Sequence, residues 1–286
     1  MAITQKELDR REQLRAYAKN KGMRLAPKIV GNVEIINRER LDSLSDDDIY
    51  LISSNHVSQG DYFLAPFLFM INDKPFLRTV AGKNLNHPII KRLVWDFEKW
   101  GALWHDRSKK ASKVLMEYGR TVQEALQEGE SVLVFPEGRR NRHPETGPED
   151  FSKSFYRFVV RAQEEIREKP IKLVTMASVY DRRMEDGFFE KIDNSRGIGY
   201  FAWDVWAHAR WRYFTPLAAK GKITVNFSEP RNLSDVQGEG DEKTKATRIS
   251  DYTIQNMEKL LGEIRESRLT SRDLQEQRMP RGLVTG

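Results

Sequence analysis

One histidine and one aspartate, close together in the chain, are of the types needed to activate an alcohol. His56 and Asp61 lie in the run Asn55-His56-Val57-Ser58-Gln59-Gly60-Asp61, which follows an apolar stretch typical of a strand. A neutral imidazole can take the proton of an alcohol that attacks an acyl carbonyl, because imidazole titrates near neutral pH. A carboxylate bonded to the other ring nitrogen fixes the tautomer and stabilises the imidazolium. A helix starting near Ser58 would let its first-turn carboxylate reach back, and the pattern then predicts His56 as general base and Asp61 as its partner.

The same residues also permit a purely structural interpretation. Ser58 would cap the helix with Asp61 at its third position, forming a capping box, and His56 would be an ordinary loop histidine. Short motifs of this kind often arise by coincidence. The pair alone therefore leaves the catalytic and the structural interpretation open.

A second pattern has the chemistry of a phosphate site. The apolar run Val132–Phe135 leads into Pro136-Glu137-Gly138 and then into Arg139-Arg140-Asn141-Arg142. Turn amides and guanidinium groups at the end of a strand are good ligands for phosphate. The alternative is a solvated basic loop, since charged loops are usually exposed.

Together these patterns resemble the first and third of four sequence blocks of the lysophospholipid and glycerol-phosphate acyltransferase superfamily. His56 and Asp61 match the first block, a histidine, four residues and an aspartate. Phe135-Pro136-Glu137-Gly138 followed by Arg140 is similar to the third block, in which Arg139 here replaces the usual Thr or Gly.

The other two blocks have counterparts at the expected places. Gly101, Trp104 and Arg107 give the glycine, aromatic and arginine of the second block at three-residue intervals. The run Lys172–Val179 stands where the fourth block is expected, but it lacks the usual proline. The resemblance spans about residues 52–179, and a family-like last strand follows at 222–230.

The resemblance implies an enzyme that moves a fatty acyl group from acyl-CoA or acyl-carrier protein to a hydroxyl of a phosphate-bearing acceptor, without a covalent acyl-enzyme. His56 would be the general base and Asp61 would orient it, while Arg107 and Arg140 would hold the phosphate. No metal and no cofactor beyond the acyl donor is implied. The expected substrate-binding residues are Gly101, Trp104, Arg107, Glu137, Gly138, Arg140 and Arg142.

The acceptor is less sharply defined by the sequence. Arg140-Asn141-Arg142 and Tyr180-Asp181-Arg182 look more like the glycerol-3-phosphate branch of the superfamily than the lysophosphatidate branch. Arg142 and Arg182 can equally be ordinary surface charge. A 1-acylglycerol-3-phosphate (lysophosphatidate) or another lysolipid therefore remains an alternative acceptor.

Strand-like and helix-like segments alternate along the chain, which predicts an α/β fold with a central mixed, partly parallel sheet covered by helices. We expect an N-terminal helical segment (1–30), an acyltransferase α/β domain (31–235) and a loop, C-terminal helix and polar tail (236–286). The predicted strands are 33–37, 50–53, 75–80, 102–104, 131–135, 171–179 and 222–227. The predicted helices are 4–21, 61–70, 88–99, 109–127, 155–168 and 247–268.

Composition restricts the classes of function. None of the 286 residues is cysteine, which excludes disulfides, a thiolate nucleophile and cysteine-based metal sites. With 48 Lys plus Arg against 42 Asp plus Glu, the charge of +6 suits an anionic membrane, a phosphorylated substrate or nucleic acid. A non-catalytic lipid- or nucleic-acid-binding protein is the remote alternative, but it leaves the motif spacing unexplained, so no nucleic acid is expected as partner.

The location of the protein is predicted from its apolar segments. No run of about 18 uncharged apolar residues occurs, so we expect a cytoplasmic protein, peripheral on the inner face of the cell membrane. The segment Ile198–Leu217 is rich in aromatic residues and arginines. It could contact membrane or acyl chains, or it could be ordinary core.

Overall fold

The computed structural model describes seven continuous segments of the chain. These are residues 32–58, 60–83, 101–105, 111–138, 151–166, 169–181 and 221–278, together with the single residues 9, 12, 13, 16, 17, 20, 141, 148, 183 and 206. Among them, no helix has the length and apolar character needed to cross a membrane.

Eight strands within these segments form one sheet. They are β1 (Asn32–Ile36), β2 (Ile49–Ser54), β3 (Leu77–Gly82), β4 (Leu103–His105), β5 (Ser131–Val134), β6 (Ile171–Tyr180), β7 (Lys222–Phe227) and β8 (Arg231–Asn232). Their order is β1-β7-β6-β2-β5-β3-β4, with β8 also paired to β6. All pairs are parallel except those of β6 with β7 and with β8. The predicted mixed, partly parallel sheet is confirmed.

Six helices in the described segments cover this sheet. They are α1 (Arg38–Asp42), α2 (Asp61–Ile71), α3 (Ala111–Gln127), α4 (Lys153–Glu165), α5 (Leu233–Gln237) and α6 (Glu242–Arg278). Helices α1 and α2 pack on one face, whereas α3, α4, α5 and α6 pack on the other.

The central strand β2 shows why the sheet is covered on both faces. All six of its residues are buried, as expected for a parallel strand between two helical layers. Because side chains alternate along a strand, Tyr50 and Ile52 join the core under α2, while Ile49 and Leu51 join the core under α4 and α6. The carboxyl end of β2 is therefore held in place by packing on both faces of the sheet.

After Asp61, helix α2 is apolar around its whole circumference, and it is buried from Asp61 to Phe69. It contains Pro66, which has no N–H to donate to the carbonyl of Tyr62 one turn earlier. The hydroxyl of Thr79 on β3 donates to that carbonyl instead, at 3.4 Å. The sheet thus satisfies the backbone group that the proline leaves without a helical partner.

The long helix α6 is tied to the sheet by a partly buried ionic cluster. One carboxylate oxygen of Glu263 accepts hydrogen bonds from Asn37 at 3.0 Å, Arg40 at 2.8 Å and Asn226 at 2.7 Å. Burial opposes ionisation of Glu263, but the bonds from Arg40 and Asn226 keep the pKa of its carboxyl below the usual value. The cluster joins α6 to α1 and β7.

The described residues agree with most predicted elements to within a few positions, and the exceptions have identifiable causes. Helix α1, helix α5 and strand β8 were not predicted, because two to five residues are too few to show a hydrophobic period. Helix α6 ends at Arg278, ten residues beyond the predicted end at Arg268, and it begins at Glu242, not at Thr247. The overlooked signal is Asp241, whose carboxylate accepts from the Thr244 amide at 2.8 Å and caps the helix. The predicted helix at 88–99 lies outside the described residues, and the six described residues of the predicted N-terminal helix are helical.

Two helical glycines offer a test of the packing between α3 and α4. A Cβ on Gly119 would lie 2.1 Å from the ring of Phe158, whereas a Cβ on Gly262 would meet nothing within 4 Å. We expect Gly119→Ala to lower the free energy of unfolding by about 1 kcal/mol or more, since overpacking outweighs the gain in helix propensity. Gly262→Ala should raise it by about 0.4–1 kcal/mol. Urea unfolding of both variants would measure this, and a stabilising Gly119→Ala would contradict the packing.

Candidate active site

The candidate site lies where neighbouring parallel strands end. His56 follows β2 by two residues, Glu137 follows β5 by three, and Tyr180 is the last residue of β6. Because β2 lies between β5 and β6 and is parallel to both, these residues share the carboxyl edge of the sheet. This edge is where open α/β sheets usually bind ligands.

The carboxylate of Asp61 is the centre of the hydrogen-bond network. One oxygen, Oδ2, accepts from the amides of Val57 at 2.7 Å and Ser58 at 2.8 Å, and lies 3.1 Å from Nδ1 of His56. The other oxygen, Oδ1, accepts from the Tyr180 hydroxyl at 2.6 Å. Asp61 has no exposed surface, so these four donors take the place of water around the carboxylate.

This network determines how the imidazole of His56 can act. An ionised carboxylate only accepts hydrogen bonds, so Nδ1 of His56 must carry the proton that is shared with Asp61. The lone pair of the neutral ring is then on Nε2, which is the atom available as a base. The arrangement can therefore take a proton from a bound alcohol.

Two aromatic rings hold the imidazole in its plane. Phe135 stacks on His56 with ring centroids 4.4 Å apart, and Tyr62 meets it edge-on at 5.1 Å. His56 is only 4% exposed. Because Phe135 follows β5 and Tyr62 lies in α2, the ring is fixed from two separate elements.

The predicted helix cap at Ser58 is wrong, because helix α2 begins at Asp61 and Gly60 is the residue at its N-cap. The hydroxyl of Ser58 accepts from the amide of Gly60 at 3.1 Å, while Asp61 accepts from the amide of Ser58. A capping box would need the Ser58 hydroxyl to accept from the amide of Asp61, but that amide donates to the backbone carbonyl of Ser58, at 3.1 Å. The same oxygen of Asp61, Oδ2, therefore bonds the Ser58 amide of the loop before the helix and meets the imidazole of His56.

Glu137 and Asn141 fasten the loop that carries His56. The carboxylate of Glu137 is nearly buried and accepts from the backbone amide of His56 at 3.2 Å. Its other oxygen accepts from the side-chain amide of Asn141 at 3.4 Å, and the Asn141 backbone amide donates to the carbonyl of His56. Glu137 therefore contacts the backbone of the candidate base.

Asn55 anchors the same loop to strand β6. Its amide nitrogen donates to the carbonyl of Ser178 at 2.9 Å, and its oxygen accepts from the amide of Ser178 at 2.9 Å. The Ser178 hydroxyl also donates to that oxygen, at 3.3 Å. Thus Asn55 is held by hydrogen bonds to β6, and the backbone of His56 is held by residues that follow β5.

The remaining predicted site residues are distributed differently. Trp104 lies on β4 in register with Ala81, and β4 is three strands from β2, which corresponds to about 14 Å. Gly101 precedes β4 with φ of 75°, and a Cβ there would lie 2.7 Å from the ring of Phe76. Gly138 is exposed beside Glu137.

The other predicted positions lie where the structure gives little or no description. Arg107, Arg140 and Arg142 are outside the described residues. The aromatic segment Ile198–Leu217 is also outside them, except for Trp206, which is 48% exposed. Within the described part of the chain, no group of three His, Asp or Glu side chains could hold a metal ion.

Three residues of the network were not predicted as site residues, namely Tyr180, Asn141 and Ser178. Asn141 and Tyr180 were noticed only as neighbours of arginines. Their contacts depend on how β5 and β6 flank β2, and a single sequence does not reveal strand order. The only local signal was that each residue lies at or just beyond an apolar, strand-like run.

Comparisons with known proteins identify what this chain is similar to. The sequence model described as Acyltransferase matches residues 32–179, which is just over half of the chain. A solved structure of similar fold is the 1-acyl-sn-glycerophosphate acyltransferase PlsC from Thermotoga maritima, with a TM-score of 0.50, 17% identity, and coverage of 92% of this chain and 84% of that chain. No curated protein sequence matches significantly.

The anchoring role of Asn55 can be measured as stability. In Asn55→Asp, a carboxylate oxygen would face the carbonyl of Ser178 where the amide now donates, so we expect the free energy of unfolding to fall by about 1–3 kcal/mol. Asn256→Asp is the matched control, because its amide donates to the Tyr252 carbonyl of its own helix and not to another strand of the described part of the chain. Urea unfolding would compare the two, and an equal or smaller loss for Asn55→Asp would contradict the anchoring.

Proposed function

From its membership of the acyltransferase family, to which this chain belongs, we propose that the enzyme acylates glycerol-3-phosphate with a fatty acyl group taken from acyl-CoA or acyl-carrier protein. The coarser statement, that it is a glycerolipid acyltransferase, follows from the family. The choice of donor and acceptor is the proposal.

The observation that carries the proposed chemistry is the buried contact between His56 and Asp61. Nδ1 of His56 lies 3.1 Å from Asp61 Oδ2, and the carboxylate has three further donors. A thioester is already an activated acyl group, so the enzyme mainly has to position the reactants and supply a base. A preorganised His–Asp pair supplies that base.

In the proposed reaction, Nε2 of His56 takes the proton as the acceptor hydroxyl oxygen attacks the thioester carbonyl carbon. A new carbon–oxygen bond forms and the carbon–sulfur bond breaks. The thiolate leaves and receives the proton from the imidazolium, which returns His56 to its starting state. Asp61 stabilises the imidazolium in between.

The acceptor phosphate is assigned to Arg107, Arg140 and Arg142. The support for this comes from the sequence, where Arg140 and Arg142 follow the Glu137 turn closely. The described geometry adds that Glu137 touches the backbone of His56, so the chain that leaves this turn starts beside the candidate base. Guanidinium groups suit phosphate because their donors pair with two oxygens at once.

The alternative acceptor is a 1-acyl-sn-glycerophosphate, the substrate named for the Thermotoga protein. We also propose that the protein is cytoplasmic and makes peripheral contact with the anionic inner face of the cell membrane, since its net charge is +6 and an acylated product is amphipathic. Both proposals are open to direct assay with purified protein.

The first test of function is the base itself. Thiol release from acyl-CoA and from acyl-carrier protein would be measured with glycerol-3-phosphate, lysophosphatidate and other lysolipids as acceptors. We expect His56→Ala and Asp61→Asn each to lower kcat by about 100-fold or more, because general base catalysis contributes on that scale. Asp48→Asn is the control, since Asp48 also accepts bonds, from Tyr50 and Lys172, but lies at the start of β2.

Full turnover in His56→Ala would reject the proposed mechanism. Salt-sensitive binding to DNA, together with no thiol release from either donor by the unaltered protein, would favour the non-catalytic binding protein instead. Turnover with lysophosphatidate but not with glycerol-3-phosphate would establish the alternative acceptor.

The phosphate assignment predicts a selective loss in acceptor binding. Arg140→Ala should raise KM for glycerol-3-phosphate by about tenfold or more, because a charge-assisted hydrogen bond is lost. KM for the acyl donor should change little, and the preference for glycerol-3-phosphate over glycerol should shrink. Arg120→Ala on α3 is the control. An unchanged preference for the phosphorylated acceptor would remove Arg140 from the proposed site.

A further inference from the structure

We propose that Tyr180, held in place by Arg268 of helix α6, is a positioning residue that orients Asp61 and through it the base His56. This inference rests on the proposed function, since it assigns Tyr180 a part in the same acyl transfer. Both residues lie beyond residues 32–179, which the family model matches.

The first step is the distribution of donors around Asp61. Three of its four donors among the described residues, from His56, Val57 and Ser58, converge on Oδ2. The fourth, the Tyr180 hydroxyl, donates to Oδ1 at 2.6 Å. Without that bond, Oδ1 would be buried with no described donor, and the carboxylate could turn about its terminal bond.

The second step is the origin of the two groups of donors. The donors to Oδ2 all belong to the loop that carries His56, so they move with it. Tyr180 belongs to β6 and is 119 positions from Asp61 in the chain. The hydrogen bond from the Tyr180 hydroxyl therefore fixes the orientation of the Asp61 carboxylate relative to the sheet.

The third step is the rigidity of the strand end that carries Tyr180. Arg268 donates to the carbonyl of Val179 at 2.8 Å and pairs with the carboxylate of Asp181 at 3.0 Å, so it grips the residues on both sides of Tyr180. It also donates to Thr224 of β7 at 3.1 Å.

Strand β7 holds the same strand end through backbone bonds. The amide of Asp181 donates to the carbonyl of Lys222 at 2.9 Å, and the Lys222 amide donates to the carboxylate of Asp181 at 3.0 Å. A tyrosine on a strand end secured from two elements can hold a buried carboxylate in one orientation.

The contact makes a kinetic prediction. Tyr180→Phe removes only the hydroxyl, and we expect kcat to fall by about 10- to 100-fold, as for a lost hydrogen bond to a charged group. KM values should change less than kcat, because no substrate contact is assigned to Tyr180. Arg268→Ala should also lower kcat, but by a smaller factor than Tyr180→Phe.

Matched controls separate positioning from general stability. Tyr156→Phe also removes a buried hydroxyl beside β2, 3.4 Å from Ser53, but on the opposite face of the sheet. Arg248→Ala removes an arginine of α6 that donates to the carbonyls of Gln237 and Glu239. Both controls should keep kcat even where thermal unfolding shows a loss of stability.

A double variant tests whether Tyr180 acts through Asp61. In an Asp61→Asn background, Tyr180→Phe should cause little further loss of kcat, because the carboxylate that the phenol orients is already gone. If the effect of Tyr180→Phe were purely structural, it would be independent of Asp61, and the fold-losses in kcat of the two single variants would multiply in the double variant. Such multiplied losses, or an unchanged kcat in Tyr180→Phe, would overturn the inference.

A spectroscopic measurement needs no turnover. The Nδ1 proton of a histidine bonded to a carboxylate can be followed by NMR and assigned to His56 by its absence from His56→Ala. We expect Tyr180→Phe to shift or broaden this signal, and Tyr156→Phe to leave it in place. An unmoved signal would reject the role of Tyr180, whereas active His56→Ala protein would reject the proposed function itself, so the two failures can be told apart.

Discussion

The buried carboxylate of Asp61 is the interaction on which the site depends. A carboxylate removed from water is costly unless hydrogen-bond donors surround it, and Asp61 has no exposed surface. Its donors come from the loop after β2 and from the end of β6, so the charge is accommodated only when both have their native positions. The same network that satisfies the carboxylate also sets the direction of the imidazole, so the burial of Asp61 and the orientation of His56 depend on the same hydrogen bonds.

The apolar core of the fold also positions the ring of His56. Phe135 and Tyr62 belong to the same apolar core as Ile52 of β2, and both also touch the ring of His56. Helix α2 brings Tyr62 and Asp61 to the site from one direction, and the end of β5 brings Phe135 and Glu137 from another. Core packing thus extends directly to the candidate base, which limits its motion before any substrate binds.

The sequence predicted the fold class, most of the strands and the proximity of His56 to Asp61, because each of these follows from local spacing. It could not predict the contact between Asp61 and Tyr180, nor that between Asn55 and Ser178, because these depend on β6 lying beside β2. Glu137 was predicted to bind substrate, which stays a prediction, and its described bonds come from the backbone amide of His56 and the side chain of Asn141. Helix α6 was started too late because the capping by Asp241 was missed. The roles assigned to the arginines stay predictions.

The contact of Arg268 in α6 with the end of β6 also affects the order in which the site is completed during synthesis. A ribosome extends the chain from its N-terminus, so His56 and Asp61 leave it together, long before Tyr180 and longer still before Arg268. Until β6 pairs with β2, the nascent chain has no place to bury the carboxylate, and Asp61 must stay hydrated. The buried setting of the site is therefore among the last features that synthesis completes, and a chain interrupted before α6 would carry the pair without the helix that secures its surroundings.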